Sequence, residues 1–215
     1  MENPKYKRVL LKISGEALAG DATRGLDFNV IGQVCDVVKR CVQLGVQVGI
    51  VVGGGNFWRG VKDGGDRMVR VRADHMGMLA TAINALAVAD VLEQKGVEVR
   101  VQTAIEMRAM ASLYPLQGHP PPGEGPRGHL RLRDREPLLL HGYGGGAPGG
   151  GDRRDVILLA KNIDGVYSAD PRKVPDAVKY DSITYSDVLA QRLQVMDSTA
   201  TSLSMDNKIP VLLFA

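Results

Sequence analysis

The sequence predicts an α/β protein built around a mainly parallel sheet, and three observations support this. Short aliphatic runs alternate with longer segments in which apolar residues recur at helical spacing. The aliphatic runs are nearly continuous, as in strands that are covered by helices on both faces. The chain has 215 residues, 44% of them hydrophobic and 24% charged, which is enough for one domain with a substantial core.

The elements are predicted in the order strand, helix, strand. Strands are expected at five aliphatic runs: 8–14, 46–54, 97–104, 155–162 and 210–214. One helix is expected within 27–45, where valines recur every three or four residues, and a second within 75–96, each ending at a glycine. In a parallel sheet of this kind, a ligand is expected beyond the carboxyl ends of the strands.

Composition argues against several functional classes. The net charge is +3, yet residues 115–154 carry six Arg against four acids, so the remainder has 21 Lys plus Arg against 20 acids. A nearly neutral remainder does not predict nucleic-acid binding. With no run of about 18 apolar residues and no apolar leader, we expect a cytoplasmic protein without a membrane partner. Cys35 and Cys41 do not share a helix face, so free thiols are expected.

Two strand ends carry residues suited to phosphate. Lys12, Ser14 and Gly15 end the first strand, and a run of three glycines, 53–55, with Arg59 follows the second. Glycines let backbone N–H groups approach an anion, and a guanidinium adds a planar fork of donors. The residues at the end of the first strand are explained equally well by an ordinary turn and by a lysine that buries its aliphatic chain and keeps its ammonium group in water. Neither GxxxxGK[ST] nor GxGxxG is present, so the P-loop and dinucleotide folds are disfavoured.

Four further residues stand beside predicted elements. Asp74 is expected at a helix start, where it would either cap the helix or accept a hydrogen bond from a ligand hydroxyl. Tyr167 is a candidate platform for a base, and Asp170 begins an Asp-Pro turn. Asp197 precedes a segment rich in small polar residues, where a cap is an equally good explanation.

Together these motifs resemble a known family. The segments "YKRVLLKISGEAL", "VVGGGNFWRG", "ADHMGMLATAINALA", "DVILLAKNIDGVYSADPRK" and "VMDSTATSLSMDNKIPV" closely resemble bacterial uridylate (UMP) kinases of the amino acid kinase superfamily. The resemblance covers nearly all of 6–112 and 155–214. It implies a three-layer αβα sandwich with a mainly parallel central sheet, in a cytoplasmic homohexamer that makes UDP from UMP and ATP with Mg²⁺.

The resemblance also implies roles for individual residues. Lys12 and Arg59 are the implied catalytic residues, which neutralise phosphate charge, and we add Asp197 as a candidate carboxylate that orients the reacting phosphates or the metal. The ATP site is implied to comprise Lys12, Ile13, Ser14, Gly15, Gly55, Arg59, Asn162, Tyr167 and Asp170. Gly54 and Asp74 are implied to contact UMP, Asp74 through the ribose.

The segment 115–154 departs from the family in composition. It contains 11 Gly, 7 Pro, 6 Arg, 6 Leu and 3 His in 40 positions, and each of these five residue types can be encoded by codons beginning with G or C. One permitted codon choice for 128–147, read one base later, gives VIFGCGTGNPFFSTDTAAA, which resembles the family's UMP-binding segment. We therefore interpret 115–154 as a frameshifted, poorly ordered part of a single domain that lacks one central strand. A disordered insertion or an Arg-Gly phosphate or RNA loop would also fit the composition. The resemblance further implies strands beyond residue 215.

Two other functions stay open at this point. Another amino acid kinase, with a carboxylate acceptor, would share the same ATP site. A non-catalytic nucleotide-binding protein would retain ATP affinity through Lys12, Gly55, Arg59 and Tyr167.

Overall fold

The computed structural model describes residues 4–22, 24–103, 107, 110, 112–113, 128–132, 155–160, 163–193, 195–196 and 198–214. At 61–62, 112–113, 128–132, 198–200 and 203 the description is limited to the backbone.

A seven-stranded parallel sheet forms the centre of the described structure. Its strands are β1 (Arg8–Ile13), β2 (Gln47–Val52), β3 (Val99–Thr103), β4 (Ser112–Leu113), β5 (Gly128–Leu132), β6 (Val156–Ala160) and β9 (Val211–Phe214). Their order is β4-β3-β5-β2-β1-β6-β9, and every pairing is parallel. A short antiparallel hairpin, β7 (Val166–Tyr167) with β8 (Lys179–Tyr180), lies outside this sheet. The predicted parallel sheet is thus confirmed.

Each face of the sheet buries its own apolar cluster. Alternate residues of β1 divide between them: Val9, Leu11 and Ile13 belong to the larger cluster, whereas Leu10 belongs to the smaller. Helices α1 (Phe28–Gln43) and α2 (Arg70–Gln94) cover the larger cluster. Residues flanking α4 (Ser198–Asp206), among them Met196 and Ile209, pack on the smaller one, and α3 (Tyr185–Ala190) precedes them. A sheet buried on both faces explains the continuous aliphatic runs.

Helix α1 follows its predicted signals closely. The side chain of Asp27 caps it, accepting hydrogen bonds from the N–H groups of Asn29 (2.9 Å) and Val30 (3.4 Å). After its last turn the backbone reverses at Gly45, whose φ of 82° is a left-handed conformation that favours glycine.

Helix α2 begins earlier than the apolar periodicity predicts. It starts at Arg70, and its N-cap, Val69, makes no side-chain capping hydrogen bond. Asp74 therefore lies in the second turn, and the prediction that it stands at the helix start is wrong. The polar residues of the first turn follow no apolar pattern, so the sequence does not reveal this start.

Although α2 is long and apolar enough to cross a membrane, Ala85, Val88 and Leu92 bury one of its faces in the core.

The centre of the sheet contains a strand from the segment 115–154, where the sequence analysis expects one central strand to be missing. The backbone of β5 pairs in parallel with both β2 and β3, so the prediction that one central strand is missing is wrong for 128–132. Strand pairing uses backbone groups that every residue except proline carries, and this stretch has no proline. The rest of 115–154 lies outside the described residues.

Candidate functional site

The carboxyl ends of β1 and β2 meet at one edge of the sheet, as predicted. Ile13 and Val52 are register partners, and the N–H of Gly53 donates to the carbonyl of Ile13 at 3.0 Å. The loops beyond them touch so closely that a Cβ on Gly15 would lie 2.7 Å from both the Gly53 oxygen and the Gly55 nitrogen. Glycine at position 15 is thus required by contact between two backbones.

The glycine loop also presses against α2. A Cβ on Gly54 would lie 2.8 Å from the Cβ of Ala80 and from the backbone nitrogen of Thr81. Such a contact is shorter than van der Waals separation, so any side chain at position 54 would push the loop off the helix. The packing therefore fixes how far the loop stands from α2.

In this loop most backbone carbonyls are hydrogen-bonded to residues that the structure describes, whereas most of the backbone N–H groups are not. The carbonyls of Gly53, Gly54 and Asn56 all accept hydrogen bonds within the protein. Within the described part of the chain, the N–H groups of Gly54, Gly55 and Asn56 donate none. Three successive unused backbone donors at a strand end form a local arrangement suited to phosphate oxygens.

A buried pair of amides holds the loop from behind. Asn84 donates from Nδ2 to Oδ1 of Asn56 at 2.7 Å, and Asn56 donates from Nδ2 to Oδ1 of Asn84 at 3.0 Å. Both side chains are at most 1% exposed. Sequence reasoning missed this pair, although an asparagine within the buried face of an apolar helix is a visible signal for a hydrogen-bonded partner.

Arg59 lies beside the glycine loop, as predicted, and is already paired. Its guanidinium forms an ion pair with Glu16, and each side chain is 45% exposed. Asp63 steadies the same segment: it accepts the Arg59 backbone N–H at 2.7 Å and pairs with Arg24 at 3.1 Å. The carboxylate of Glu16 shows that an anion can reach the guanidinium from the Gly15 side of the edge.

The remaining residues of the first strand end have distinct positions. Lys12 is half-buried on the sheet face opposite Ile13. The side chain of Ile13 is 1% exposed, so it can reach a ligand through its backbone alone. Ser14 caps the following 3₁₀ helix, Gly15–Ala19, by accepting the Ala17 N–H at 3.2 Å.

Asp74 has a partner on its own helix. Nε of Arg70 donates to both carboxylate oxygens of Asp74 at 3.1 Å, so its role in the fold is an i,i+4 pair. The segment after the glycine loop lies close by, because Nε1 of Trp58 donates to the carbonyl of Ala73 at 2.8 Å. Asp74 is thus the sequence neighbour of Ala73, the residue to which Trp58 of the loop segment is hydrogen-bonded.

Tyr167 and Asp170 belong to the hairpin region. The hydroxyl of Tyr167 donates to Asp164 at 2.8 Å, and Nζ of Lys179 pairs with the other oxygen of that carboxylate at 2.7 Å. Lys179 and then Tyr167 hold the pKa of Asp164 below its ordinary value, while Asp164 raises the pKa of both partners. Asp170 accepts the Arg172 N–H at 3.0 Å, which confirms the predicted turn.

A cavity of about 510 Å³ lies between the β7–β8 hairpin and the sheet face that carries the smaller apolar cluster. Val166, Tyr180, Met196 and Leu213 are among its lining residues. Its volume falls within the range of about 300–1,000 Å³ found for small-molecule sites. Two predicted site residues, Asn162 and Asp197, lie outside the described residues.

The fold and this edge define an α/β protein in which a glycine loop with three unused backbone N–H groups follows a parallel strand. Its sequence matches the amino acid kinase family over residues 7–142 and 153–215, and the chain belongs to that family. The chain is similar to the UMP kinase of Bacillus anthracis, with 31% identity and a TM-score of 0.80, covering 98% of this chain and 88% of that one. It is likewise similar to the UMP kinase of Ureaplasma parvum, with 30% identity and a TM-score of 0.84, covering 98% and 90%.

A more distant likeness concerns the fold alone. The aspartate kinase of Synechocystis shares 14% identity at a TM-score of 0.69, covering 96% of this chain and 37% of that one. The family and the two UMP kinase structures confirm the predicted three-layer αβα fold.

Proposed function

We propose that this chain has the fold and site of a UMP kinase, which transfers the γ-phosphoryl group of ATP to UMP. The observation that carries the proposal is the edge between β1 and β2 with its three unused loop N–H groups, in a chain that is similar, at 30–31% identity with 98% of this chain covered, to two UMP kinases. A phosphate oxygen of UMP attacks the γ-phosphorus, the bond from that phosphorus to the β,γ-bridging oxygen breaks, and ADP leaves. Since the attacking oxygen is already ionised, no general base is needed.

The glycine edge supplies what such a transfer requires. Phosphoryl transfer depends on alignment and on neutralising charge spread over the transferred oxygens. We assign the backbone of 13–15 and 55, with Lys12 and Arg59, to the ATP phosphates, and Gly54 and Asp74 to UMP. The three unused N–H groups of the loop support this assignment.

The nucleoside end of ATP is assigned to the hairpin side. Tyr167 and Asp170 lie there, and Asn162 belongs to the same assignment. The cavity beside the hairpin supports a base-binding end, since its lining combines apolar residues with the polar edges of Asp164 and Tyr180.

Magnesium is proposed as the metal that accompanies ATP. Mg²⁺ is usually held by substrate phosphates, water and one or two carboxylates, so it needs no dedicated cluster of protein ligands. Among the described residues no group of three or more His, Cys, Asp or Glu side chains is placed to hold a metal. We assign Asp197 as the carboxylate that orients the phosphates or their metal.

The test is UMP-dependent formation of ADP, measured in a coupled assay on this chain and on a version in which 115–154 is restored to the family's reading frame. Lys12→Ala should lower kcat about 10²–10³-fold, the usual loss when one charge-stabilising donor is removed. Lys95→Ala removes a lysine that pairs with Asp36 away from the site, and it should retain full activity. Transfer to aspartate or glutamate instead of UMP would identify another kinase of the family, and ATP binding without transfer would identify a non-catalytic protein.

We also propose that 115–154 is a frameshifted part of the single domain and that it weakens or abolishes UMP binding in this chain. The hidden peptide in the next reading frame supports this. Resequencing the gene from the codon for Ala111 to that for Lys161 tests it. Compensating indels near Tyr114 and Asp155 would support the proposal, and a frame-restored protein should then outperform this chain. Reads that confirm the present sequence would show that the chain has truly lost its UMP segment, and ordinary UMP turnover by the purified 215-residue chain would overturn the proposal.

A homo-oligomer, a hexamer by analogy with the family, completes the proposal. The outward face of α2 carries Met76, Leu79 and Ile83, which are 37%, 51% and 46% exposed. An apolar stripe of this kind suits a second copy of the same helix across a twofold axis. We place the protein in the cytoplasm, in pyrimidine nucleotide synthesis, with no nucleic-acid or membrane partner.

A further inference from the structure

The amide pair behind the glycine loop is completely hydrogen-bonded. Nδ2 of Asn84 donates to Gly53 O at 2.6 Å as well as to Asn56, and Nδ2 of Asn56 donates to Gly25 O at 2.6 Å as well as to Asn84. A primary amide has two N–H donors, and all four donors of the pair are used. The pair therefore ties three segments together: α2, the glycine loop and the turn at Gly25.

This arrangement determines which way the peptide group between Gly53 and Gly54 faces. Gly53 points its carbonyl at Asn84, and its N–H donates to Ile13. In a trans peptide the C=O and the following N–H point in opposite directions, and the described residues contain no cis peptide bond. The N–H of Gly54 is therefore directed away from the Asn84 amide, on the side where the loop has no internal acceptor.

We propose that Asn84, together with Asn56, is a positioning residue for phosphate binding. By holding the Gly53 carbonyl inward, the pair leaves the N–H of Gly54 as a donor for phosphate oxygens, next to the unused N–H groups of Gly55 and Asn56. This inference rests on the phosphate assignment made under the proposed function. Asn84 acts through the loop and does not touch the ligand.

If the side chain at position 84 only filled the core, an apolar residue would serve there as well as asparagine. The neighbours of Asn84 on the buried face of α2 include Ala85 and Val88, and both are fully buried. A leucine would match asparagine in shape but would leave the Gly53 carbonyl and Oδ1 of Asn56 without the Asn84 donor. Nδ2 of Asn56 would keep Gly25 O as its one remaining acceptor in the described structure. Asparagine is thus the residue that orients the loop rather than one that only fills the core.

The test compares Asn84→Leu with Asn84→Ser, which keeps one hydroxyl donor, in the full chain. The matched control is Val88→Ala, which creates a cavity one turn along the same helix without touching the loop. Binding of ATP and, separately, of inorganic pyrophosphate is measured by calorimetry at a temperature where circular dichroism shows every variant folded. Asn84→Leu should weaken both affinities about 10–100-fold, because a loop displaced by about 1 Å loses its alignment. Asn84→Ser should lose less, and Val88→Ala should stay within about twofold of the parent chain.

Three results would overturn the inference: unchanged affinities in Asn84→Leu, an equal loss in Val88→Ala, or a parent chain that binds neither ligand. If Asn84→Leu does not fold, the comparison of Asn84→Ser with Val88→Ala decides in the same way. UMP turnover is measured separately. If the parent chain binds ATP and pyrophosphate but neither it nor the frame-restored protein phosphorylates UMP, the proposed function is refuted and the positioning role stands.

Discussion

Arg59 meets Glu16 directly beside the glycine loop. A Cβ on Gly55 would lie 3.4 Å from Nε of Arg59 and 3.9 Å from Cγ of Glu16, so the ion pair lies against the loop that carries the unused N–H groups. A nucleotide phosphate that binds Arg59 must compete with this carboxylate. We therefore expect the pair to weaken anion binding while it holds the guanidinium in place.

Glu16→Gln should consequently tighten ATP binding. Exposed ion pairs of this kind are worth about 0.2–1 kcal/mol, which corresponds to a gain of about 1.4–5-fold in affinity. The dissociation constant of ATP is to be measured at low and at high salt, and the gain should shrink at high salt because both side chains are partly exposed. Asp36→Asn, which breaks the remote pair with Lys95, should change nothing. Weaker binding in Glu16→Gln would show that the carboxylate positions Arg59 rather than competes for it.

Gly54→Ala should destabilise the fold and abolish phosphate binding. Its new Cβ would lie 2.8–2.9 Å from backbone atoms of Thr81 and Gly77, which cannot yield as a flexible side chain would. We expect a loss of about 1–3 kcal/mol in unfolding free energy, the usual cost of overpacking, measured by urea denaturation.

The control for that substitution, Gly32→Ala, should change the unfolding free energy in the opposite direction. Gly32 lies within α1, and a Cβ there would meet nothing within 4 Å. Gly32→Ala should therefore stabilise the protein by about 0.5–1 kcal/mol through helix propensity, with ATP binding unchanged. If both glycines tolerated alanine equally, the close approach of the glycine loop to α2 would be disproved.

Asp164→Asn should lower the pKa of Tyr167 towards its ordinary value of 10.0, because the carboxylate that accepts the phenol proton and repels the phenolate would be gone. Tyrosinate absorbance across an alkaline titration checks this as a difference between variant and parent. Asp170→Asn, whose carboxylate binds a backbone N–H, should leave the titration unchanged.

The same ion pair gives a defined pH dependence of stability. Asp164 has a lowered pKa, so its contribution is present above the ordinary value of 3.8 and is lost as the pH falls through the folded-state pKa. Lys179 has a raised pKa, so its contribution is complete below 10.5 and is lost as the pH rises through the folded-state pKa. Between these limits the pair should contribute a constant amount.

Cys35 should resist thiol reagents while the protein is folded. The thiol is fully buried with Sγ 3.8 Å from the carbonyl of Val88, and burial raises its pKa to about 11. At pH 8 only about one molecule in 1,000 would carry the thiolate. With Ellman's reagent, Cys41 should react readily because it is half-buried, and Cys35 only on unfolding. A Cys41→Ser variant that reacts at once without denaturant would contradict this burial.

The sequence was sufficient to predict the parallel sheet and the meeting of the β1 and β2 carboxyl ends, where Gly15 lies against Gly53 and Gly55, since strand direction places carboxyl ends together. It did not reveal the Asn56–Asn84 pair, because hydrogen bonds between residues 28 apart leave no periodic trace. The partner of Arg59 was missed for the same reason. Asp74 was misplaced because the first turn of α2, Arg70 to Ala73, lacks both a cap and an apolar pattern.

The outer stripe of α2 leads to a last prediction, on assembly. Leu79 and Ile83 are one helical turn apart and both about half-exposed, although the opposite face of the same helix is buried in the core. If a second copy covers this stripe, Ile83→Asp places a charge in an apolar interface and should shift the protein to a smaller species in analytical ultracentrifugation. Val37, 50% exposed on α1, provides the control: Val37→Asp should leave the assembly intact. Parent and Ile83→Asp chains that sediment alike would show that this face does not form the interface. Because the substitution leaves the core side of α2 untouched, thermal unfolding of the dissociated variant should stay cooperative.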